Sequence, residues 1–214
     1  MKILVTAGAT REPIDAVRFI SNVSTGATGA TLADEFAKRG HAVLLLHGEG
    51  AVISSGGAQT KSFSSAADLR AQLEQLLREG EFDAVVMAAA VSDYRPVNTE
   101  EGKISSDTDA LLLPLVRNEK ILPELKSFAL SRPPRVVGFK LTVGAEGSAR
   151  RAAVVRQFAT GGVDAVVHND LVEIRGAAVH PFWLWRAIDA APIRIEGTPA
   201  LAAAILETVG APSS

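Results

Sequence analysis

The chain has no cysteine among its 214 residues, which excludes disulfides, Cys-ligated zinc, iron–sulfur clusters and a thiol nucleophile of its own. It also lacks a surplus of either charge: 22 basic against 24 acidic residues leave a formal net charge of −2. That is not the bulk charge of a protein that coats a polyphosphate, so nucleic acid is not an expected partner, while a local anion pocket stays open. Lysine is scarce, seven against fifteen arginines, and none follows Lys140. Long apolar runs are missing as well. The longest, Ala84 to Val91, has eight residues, where a membrane span needs roughly 18, so no membrane partner is expected. The N-terminus enters a strand-like run at once and leaves no room for a signal peptide, which makes a cytoplasmic location the expectation. What is present is a globular composition, 47% hydrophobic and 21% charged, at a length that suits a single domain over residues 1–214.

Apolar runs alternate with segments of helical spacing. Lys2 to Thr6, Ala42 to Leu46, Asp83 to Ala88, Arg135 to Leu141 and Val163 to His168 read as strands. Ala27 to Lys38, Asp68 to Leu77, Ile121 to Leu130, Ser148 to Phe158 and Pro199 to Val209 read as helices. Leu111 to Val116 predicts a strand that Pro114 pushes to a sheet edge. Leu171 to Trp185 predicts a hairpin turning at Gly176, and Ile193 to Ile195 a short strand. The alternation predicts an α/β fold with a doubly wound, mostly parallel sheet and a C-terminal hairpin extension. Unbroken apolar strands suit positions covered on both faces. Trp183 and Trp185 fall on one face of the hairpin. That suits the core or a dimer interface, and the interface is the favoured reading.

Ligands of such sheets bind beyond the carboxyl ends of the strands. The loop after Thr6 carries Gly8 and reaches a helix start at Gly26-Ala27-Thr28-Gly29. Free N–H groups and the helix dipole attract phosphate there, and Arg11 and Arg18 can add charge-assisted contacts. The glycines equally suit close packing of helix on sheet. A loop this long is usually functional. A dinucleotide reading, and with it an NAD(P)-dependent reductase, finds no G-x-G-x-x-G and no well-placed acid after Leu46-His47-Gly48-Glu49. In the loop from Ala88 to Pro96, small residues let a planar base lie against the backbone, and Asp93 can accept from an amino group or a ribose. An ordinary turn aspartate is the plain alternative. Histidines 41, 47, 168 and 180 have no metal-ligand spacing, so no protein-held metal is expected. No G-x-S-x-G or S-x-x-K supports a serine nucleophile.

Thr6 to Gly29 resembles the signature of the phosphopantothenoylcysteine synthetase family, the phosphopantothenate–cysteine ligases of coenzyme A synthesis. That family reads roughly G-P-T-R-E-P-I-D-P-V-R-F-I-S-N-x-S-S-G-x-M-G. Gly8, Thr10 to Asp15, Val17 to Asn22, Ser24, Gly26 and Gly29 match it. Further matches follow in order: Ala89 to Pro96 (A-A-V-x-D-Y-R-P), Lys103-Ile104, Asn118 with Ile121-Leu122, Val137 to Phe139, and Asn169-Asp170. The resemblance implies a Rossmann-like homodimer and a reaction in two steps. A nucleoside triphosphate, CTP in bacterial members and ATP in eukaryotic ones, with Mg²⁺ on its phosphates, activates the carboxylate of 4'-phosphopantothenate as an acyl-nucleotide. L-cysteine then forms the amide. It implies that Asn22 hydrogen-bonds the acyl-nucleotide, that Lys103 meets the triphosphate, and that Arg18 neighbours the same intermediate. Asp93 and the backbone of Met87, Ala88 and Ala89 would hold base and ribose. Asn118, Glu119, Lys120, Ile121, Leu122 and Phe139 would line the nucleotide site.

Departures from the family pattern are local. Ala9 and Ala16 replace prolines, and Ala27-Thr28 replace Lys-Met. Glu119-Lys120 stand where Pro-Asp is common. Gln157, Gly161 and Gly162 occupy a region where bacterial two-domain members carry lysines, which leaves Lys140, Arg151 or Arg156 as replacements, or a weakened triphosphate site. A divergent relative that binds a nucleotide without ligating cysteine is therefore the alternative within the family. Nothing resembles the flavin-binding decarboxylase half of many bacterial members, so flavin is not expected, and a separate phosphopantothenoylcysteine decarboxylase is a candidate partner.

Overall fold

The computed structural model describes residues 1–107 and 109–211. In chain order the strands are β1 (Lys2–Ala7), β2 (Arg11–Pro13), β3 (Phe19–Ser21), β4 (Ala42–Gly48), β5 (Gln59–Phe63), β6 (Ala84–Met87), β7 (Tyr94–Pro96), β8 (Leu115–Arg117), β9 (Arg135–Thr142), β10 (Ala165–Asp170), β11 (Pro181–Trp185) and β12 (Ile193–Glu196). The helices are α1 (Ala27–Lys38), α2 (Ala66–Glu79), α3 (Leu125–Phe128), α4 (Gly147–Gly161), α5 (Leu171–Gly176) and α6 (Thr198–Gly210). Eight strands form the central sheet in the order β12-β11-β10-β9-β6-β1-β4-β5. From β5 to β10 the neighbours are parallel, and β11 and β12 close the sheet as an antiparallel hairpin. The doubly wound expectation and its hairpin extension both hold. Two short ribbons, β2 with β3 and β7 with β8, stand outside this sheet.

Alternation along the strands sorts the core into two layers. Ile3 and Val5 of β1 face α1 and α6, where Leu32, Phe36, Leu201 and Ile205 are buried. Leu4 faces the opposite layer, with Leu69 and Leu73 of α2 and Leu125 of α3. Each such fully buried side chain contributes roughly 1.5–3 kcal/mol. Serine 65 caps α2 by accepting from Asp68 N–H at 3.2 Å, and the buried Glu12 accepts from Ala66 N–H at 3.0 Å. The loop after β1 is thereby tied to the start of α2. Among the described residues no helix is long and apolar enough to cross a membrane.

The segment after His168 departs from expectation. Asp170 accepts from Val172 N–H at 2.9 Å and caps α5, so Leu171 to Gly176 is helical and the hairpin lies later, between β11 and β12. The favoured interface reading of the tryptophans fails for Trp185. Trp185, 4% exposed, packs on Val154 of α4 and Val166 of β10. Trp183 is half-buried beneath the Arg150 guanidinium, and its indole N–H donates to Glu173 at 3.1 Å. Trp185 belongs to the chain's own interior, whereas Trp183 keeps part of its surface open beside Pro181 and Arg194. The strand expected from Leu111 begins only at Leu115, beyond Pro114, and pairs with β7 rather than the central sheet.

Beside that corner lies a buried polar chain. His168 Nε2 donates to Thr142 Oγ1 at 2.8 Å, and the Thr142 hydroxyl donates to Asp170 Oδ2 at 2.6 Å. Burial, helped by the nearby Arg150 charge, pushes the His168 imidazole down to about 4. Burial would raise Asp170, but the Thr142 hydroxyl and the N–H groups of Ala145, Gly144 and Val172 outweigh it and hold the carboxyl well below the usual range. A histidine whose folded pKa is depressed takes up its proton more readily when unfolded, so its contribution to stability is present above about 6.5 and lost as pH falls toward about 4. Urea unfolding at pH 7 and pH 4.5 should show the wild type losing roughly 2 kcal/mol more than a His168→Gln variant. Equal losses would mean that His168 is not buried in its neutral form.

Candidate functional site

The chain leaves β1 toward β4 on one side and returns to β6 on the other. Ligands of open α/β sheets bind where the winding reverses, outside the carboxyl ends of those strands. On the β4 side that space is filled by the chain itself. A Cβ on Gly8 would stand 2.6 Å from Ala51 Cβ, and one on Gly26 would stand 3.0 Å from both Ala51 Cβ and Gly8 N. Gly8 and Gly26 also sit at φ +78°, where only glycine is unstrained. A Cβ on Gly29 would meet Ala7 Cβ at 2.6 Å. Close packing thus accounts for Gly8, Gly26 and Gly29. The turn through Ala51, tied by Val52 N–H to the Thr25 carbonyl at 2.9 Å, occupies the place where a dinucleotide pyrophosphate would approach α1.

On the β6 side the two loops run together. Ala90 N–H donates to the Gly8 carbonyl at 2.7 Å, and Thr10 N–H to the Ala90 carbonyl at 3.2 Å. The Thr6 hydroxyl accepts from Ala89 N–H at 3.1 Å and donates to the Met87 sulfur at 3.3 Å. Thr10 Oγ1 accepts from Ser92 N–H at 3.0 Å. Asn22 is exposed and donates to the Val91 carbonyl at 3.2 Å. The structure therefore brings Asn22 beside the Met87–Ala88–Ala89 edge and the Asp93 loop.

A third segment joins them. Asn118 donates through its N–H to the Asp93 carbonyl at 2.9 Å and through Nδ2 to the Ser92 carbonyl at 3.0 Å. The exposed Asp93 carboxylate pairs with the Lys120 ammonium. Glu119 turns away to Arg70 at 3.3 Å. Ile121 is buried and Leu122 partly so, both in the α2/α3 layer, whereas Phe139 packs against the opposite, α1/α6 layer. Lys140 is half-buried near the end of β9. Of the seven lysines, Lys61, Lys103 and Lys140 have no ion pair and no aromatic contact among the described residues. Two of these three uncommitted cations are site residues named from the sequence.

Arg18 is committed. Its guanidinium pairs with the buried Asp15 carboxylate and donates to the Ile104 carbonyl at 2.8 Å. The Arg18 hydrogen bond, outweighing burial, holds the Asp15 carboxyl far below the usual range. Lys103 follows on the rim of a groove of about 440 Å³ lined by Ile14, Pro96, Ile104, Leu111 and Leu113. Sequence reasoning gave Asp15 no role. Its signal was there, an aspartate three residues before an arginine within the matched motif. Among the described residues no group of three or more His, Asp or Glu is placed to hold a metal ion.

Residues 1–182 match the family described as the DNA/pantothenate metabolism flavoprotein C-terminal domain. The chain belongs to that family. It is 36% identical over 170 residues to the coenzyme A biosynthesis bifunctional protein CoaBC of Thermococcus kodakarensis, covering 79% of this chain and 41% of that protein. The chain thus spans under half the length of this relative. The crystal structure of the DNA/pantothenate metabolism flavoprotein from Streptococcus pneumoniae superimposes with a TM-score of 0.86 at 24% identity, over 98% of both chains. A Cab2 mutant, H337A, in complex with phosphopantothenate-cysteine superimposes with a TM-score of 0.75 at 19% identity, over 98% of this chain and 85% of that one. Family membership fits the crowded first loop, because the matched glycines are those with no room for a side chain. Gly29→Ala should cost about 1–3 kcal/mol in chemical denaturation, since the added carbon meets Ala7 and the Thr6 carbonyl. An unchanged midpoint would show that α1 can lift from β1 without loss.

Proposed function

We propose that this domain is a phosphopantothenate–cysteine ligase of coenzyme A synthesis. The observation that carries the reading is the convergence of Asn22, the Met87–Ala89 edge and Asp93 at the reversal point between β1 and β6, with Lys103 free of ion pairs in a segment held to the far turn of the same first loop. Family membership supports it, as does the name of the Thermococcus relative.

In the first step the 4'-phosphopantothenate carboxylate attacks the α-phosphorus of the nucleotide and the bond to pyrophosphate breaks. In the second, the cysteine amine attacks the acyl carbon, loses a proton, and the nucleoside monophosphate leaves. A carboxylate is a poor electrophile, and the mixed anhydride supplies the leaving group it lacks. The protein's part is to align the reactants and offset charge. Asn22 presents an amide to the acyl-nucleotide, Lys103 and Lys140 face the phosphates, and Arg18 adjoins the same intermediate. Asp93 and the 87–89 backbone receive base and ribose, between Asn118 to Leu122 and Phe139. CTP is the favoured nucleotide over ATP. Mg²⁺ enters as the counter-ion of the triphosphate, part of the substrate, which suits an ion that keeps its waters and binds through phosphates. A flavoprotein decarboxylase acting on the product would be a separate partner or a further part of the assembly.

The second reading, a relative that binds nucleotide without ligation, draws on Gln157. This neutral amide lies over Gly138 and donates to the Phe139 carbonyl at 3.2 Å, in the region where bacterial two-domain members carry lysine. Mixing the domain with phosphopantothenate, cysteine and CTP or ATP should release pyrophosphate. Calorimetric nucleotide binding with no pyrophosphate release would select the second reading, and tight NAD(P)H binding would revive a reductase. Asn22→Asp should still release pyrophosphate but accumulate the acyl-nucleotide, and full turnover by that variant would remove Asn22 from the second step.

A homodimer is the proposed assembly. Leu112 is 89% exposed, and Tyr94, Val97, Leu115 and Val116 of the β7/β8 arm are exposed with it. An apolar patch of that extent marks an interaction surface. Sedimentation should give the mass of two chains, and Leu112→Asp with Val116→Asp should give one. A wild-type monomer at micromolar concentration would reject the assembly.

A further inference from the structure

Asp15 is almost wholly buried and its carboxyl is held well below the usual range, and it holds more hydrogen bonds than any other side chain described at the site. Its Oδ1 accepts from Val17 N–H at 2.9 Å and Arg18 N–H at 2.8 Å. Its Oδ2 accepts from Arg18 Nε at 2.9 Å, from Arg18 Nη2, and from Ile104 N–H at 3.0 Å. The same Arg18 Nη2 donates to the Ile104 carbonyl at 2.8 Å. One ion pair thus grips both the N–H and the carbonyl of the residue that follows Lys103. Three further bonds run alongside: Thr99 Oγ1 to the Pro13 carbonyl at 3.1 Å, Glu100 N–H to the Ile14 carbonyl at 3.1 Å, and Ala16 N–H to the Gly102 carbonyl at 3.4 Å. Residues 97 to 103 are otherwise solvent-exposed.

We infer that the Asp15–Arg18 pair is a positioning unit that fixes the backbone at Lys103–Ile104 and so aims the Lys103 ammonium at the nucleotide phosphates. The inference rests on the ligase reading of Lys103 given above. It assigns Asp15 a role and defines how Arg18 acts, through Ile104 as well as beside the intermediate. The pairing needs a forked, planar cation: Arg18 must bond a carboxylate and a carbonyl at once, which a lysine ammonium on a flexible stem does poorly. Lys103 itself, lacking an ion pair, would have no fixed direction without this grip.

Two readouts test the unit. In limited trypsin digestion followed by mass spectrometry, Asp15→Asn should speed cleavage at the Lys103–Ile104 bond by at least about tenfold while other tryptic sites keep their rates. In single-turnover pyrophosphate release, Asp15→Asn should be slower by about tenfold or more, and Asp15→Asn combined with Lys103→Ala should be no slower than Lys103→Ala alone. Unchanged cleavage at Lys103–Ile104, or multiplicative losses in the double variant, would overturn the inference. Should Asp15→Asn open every tryptic site and so prove unfolded, Arg18→Lys, which keeps the charge but loses the fork, decides the same two questions. A wild type that releases no pyrophosphate fails the ligase reading and takes the catalytic part of this inference with it, whereas an active wild type with unaltered digestion of the variants fails the positioning unit alone.

Discussion

Two backbone hydrogen bonds, from Ala90 N–H to the Gly8 carbonyl and from Thr10 N–H to the Ala90 carbonyl, decide where this molecule can bind a ligand. They extend the β1/β6 pairing past the ends of the strands and force two long loops to travel as one layer. Most of what is named at the site hangs from that layer, Phe139 and Lys140 of β9 apart. Asn22 meets the Val91 carbonyl, Asn118 meets the Ser92 carbonyl, and the 99–104 segment is laced to residues 13–18. On the other side of β1 the same first loop is pressed against Ala51. A doubly wound sheet offers its reversal point to ligands by default, and here the chain has closed the half nearest α1 and left the half nearest β6.

Charge follows the same division. With basic and acidic residues nearly equal in number, the protein has no general attraction for anions. Most of its cations are neutralised locally: Lys38 on Glu35, Lys126 and Arg135 on Asp164, Arg70 among Glu74, Glu119 and Glu124. Such pairs add little stability on an exposed surface. Their larger effect is to neutralise charge locally, and Lys103 and Lys140 are among the cations left without an ion pair among the described residues.

Much of this was legible in the sequence because the responsible patterns are local. Apolar runs such as Leu4-Val5 and Val85-Val86 and the helical spacing of Leu69, Leu73 and Leu77 report burial directly, and the mostly parallel, doubly wound class followed from their alternation with helices. What escaped was decided at a distance. The β5 strand, Gln59 to Phe63, is mostly exposed and polar, so nothing in its own residues marks it; it is strand because β4 offers an edge. α5 was mistaken for half of a hairpin because its cap, Asp170, is also bound to Thr142 and the 144–145 turn from another strand. Trp185 was placed outside because an aromatic on an end strand suits an interface; Val154, from a helix earlier in the chain, covers it. At the site, the structure brings the motif residues Asn22, Asp93 and Asn118 onto neighbouring loops, while the grip of Asp15 on Ile104 spans 89 positions and leaves no periodic trace.

The pairing of α1 with α6 sets a schedule for synthesis. Leu32 and Phe36 of α1 emerge well before α6, yet part of the surface they bury against belongs to Leu201, Ala202 and Ile205. Until α6 arrives, that flank of the sheet faces water along β1, the strand between β4 and β6. The nascent domain therefore carries an unfinished apolar flank until residues 198–210 have been made, and the layer built on α2 and α3 can close before it. The helix that covers this flank lies beyond residue 182, where the family match itself stops.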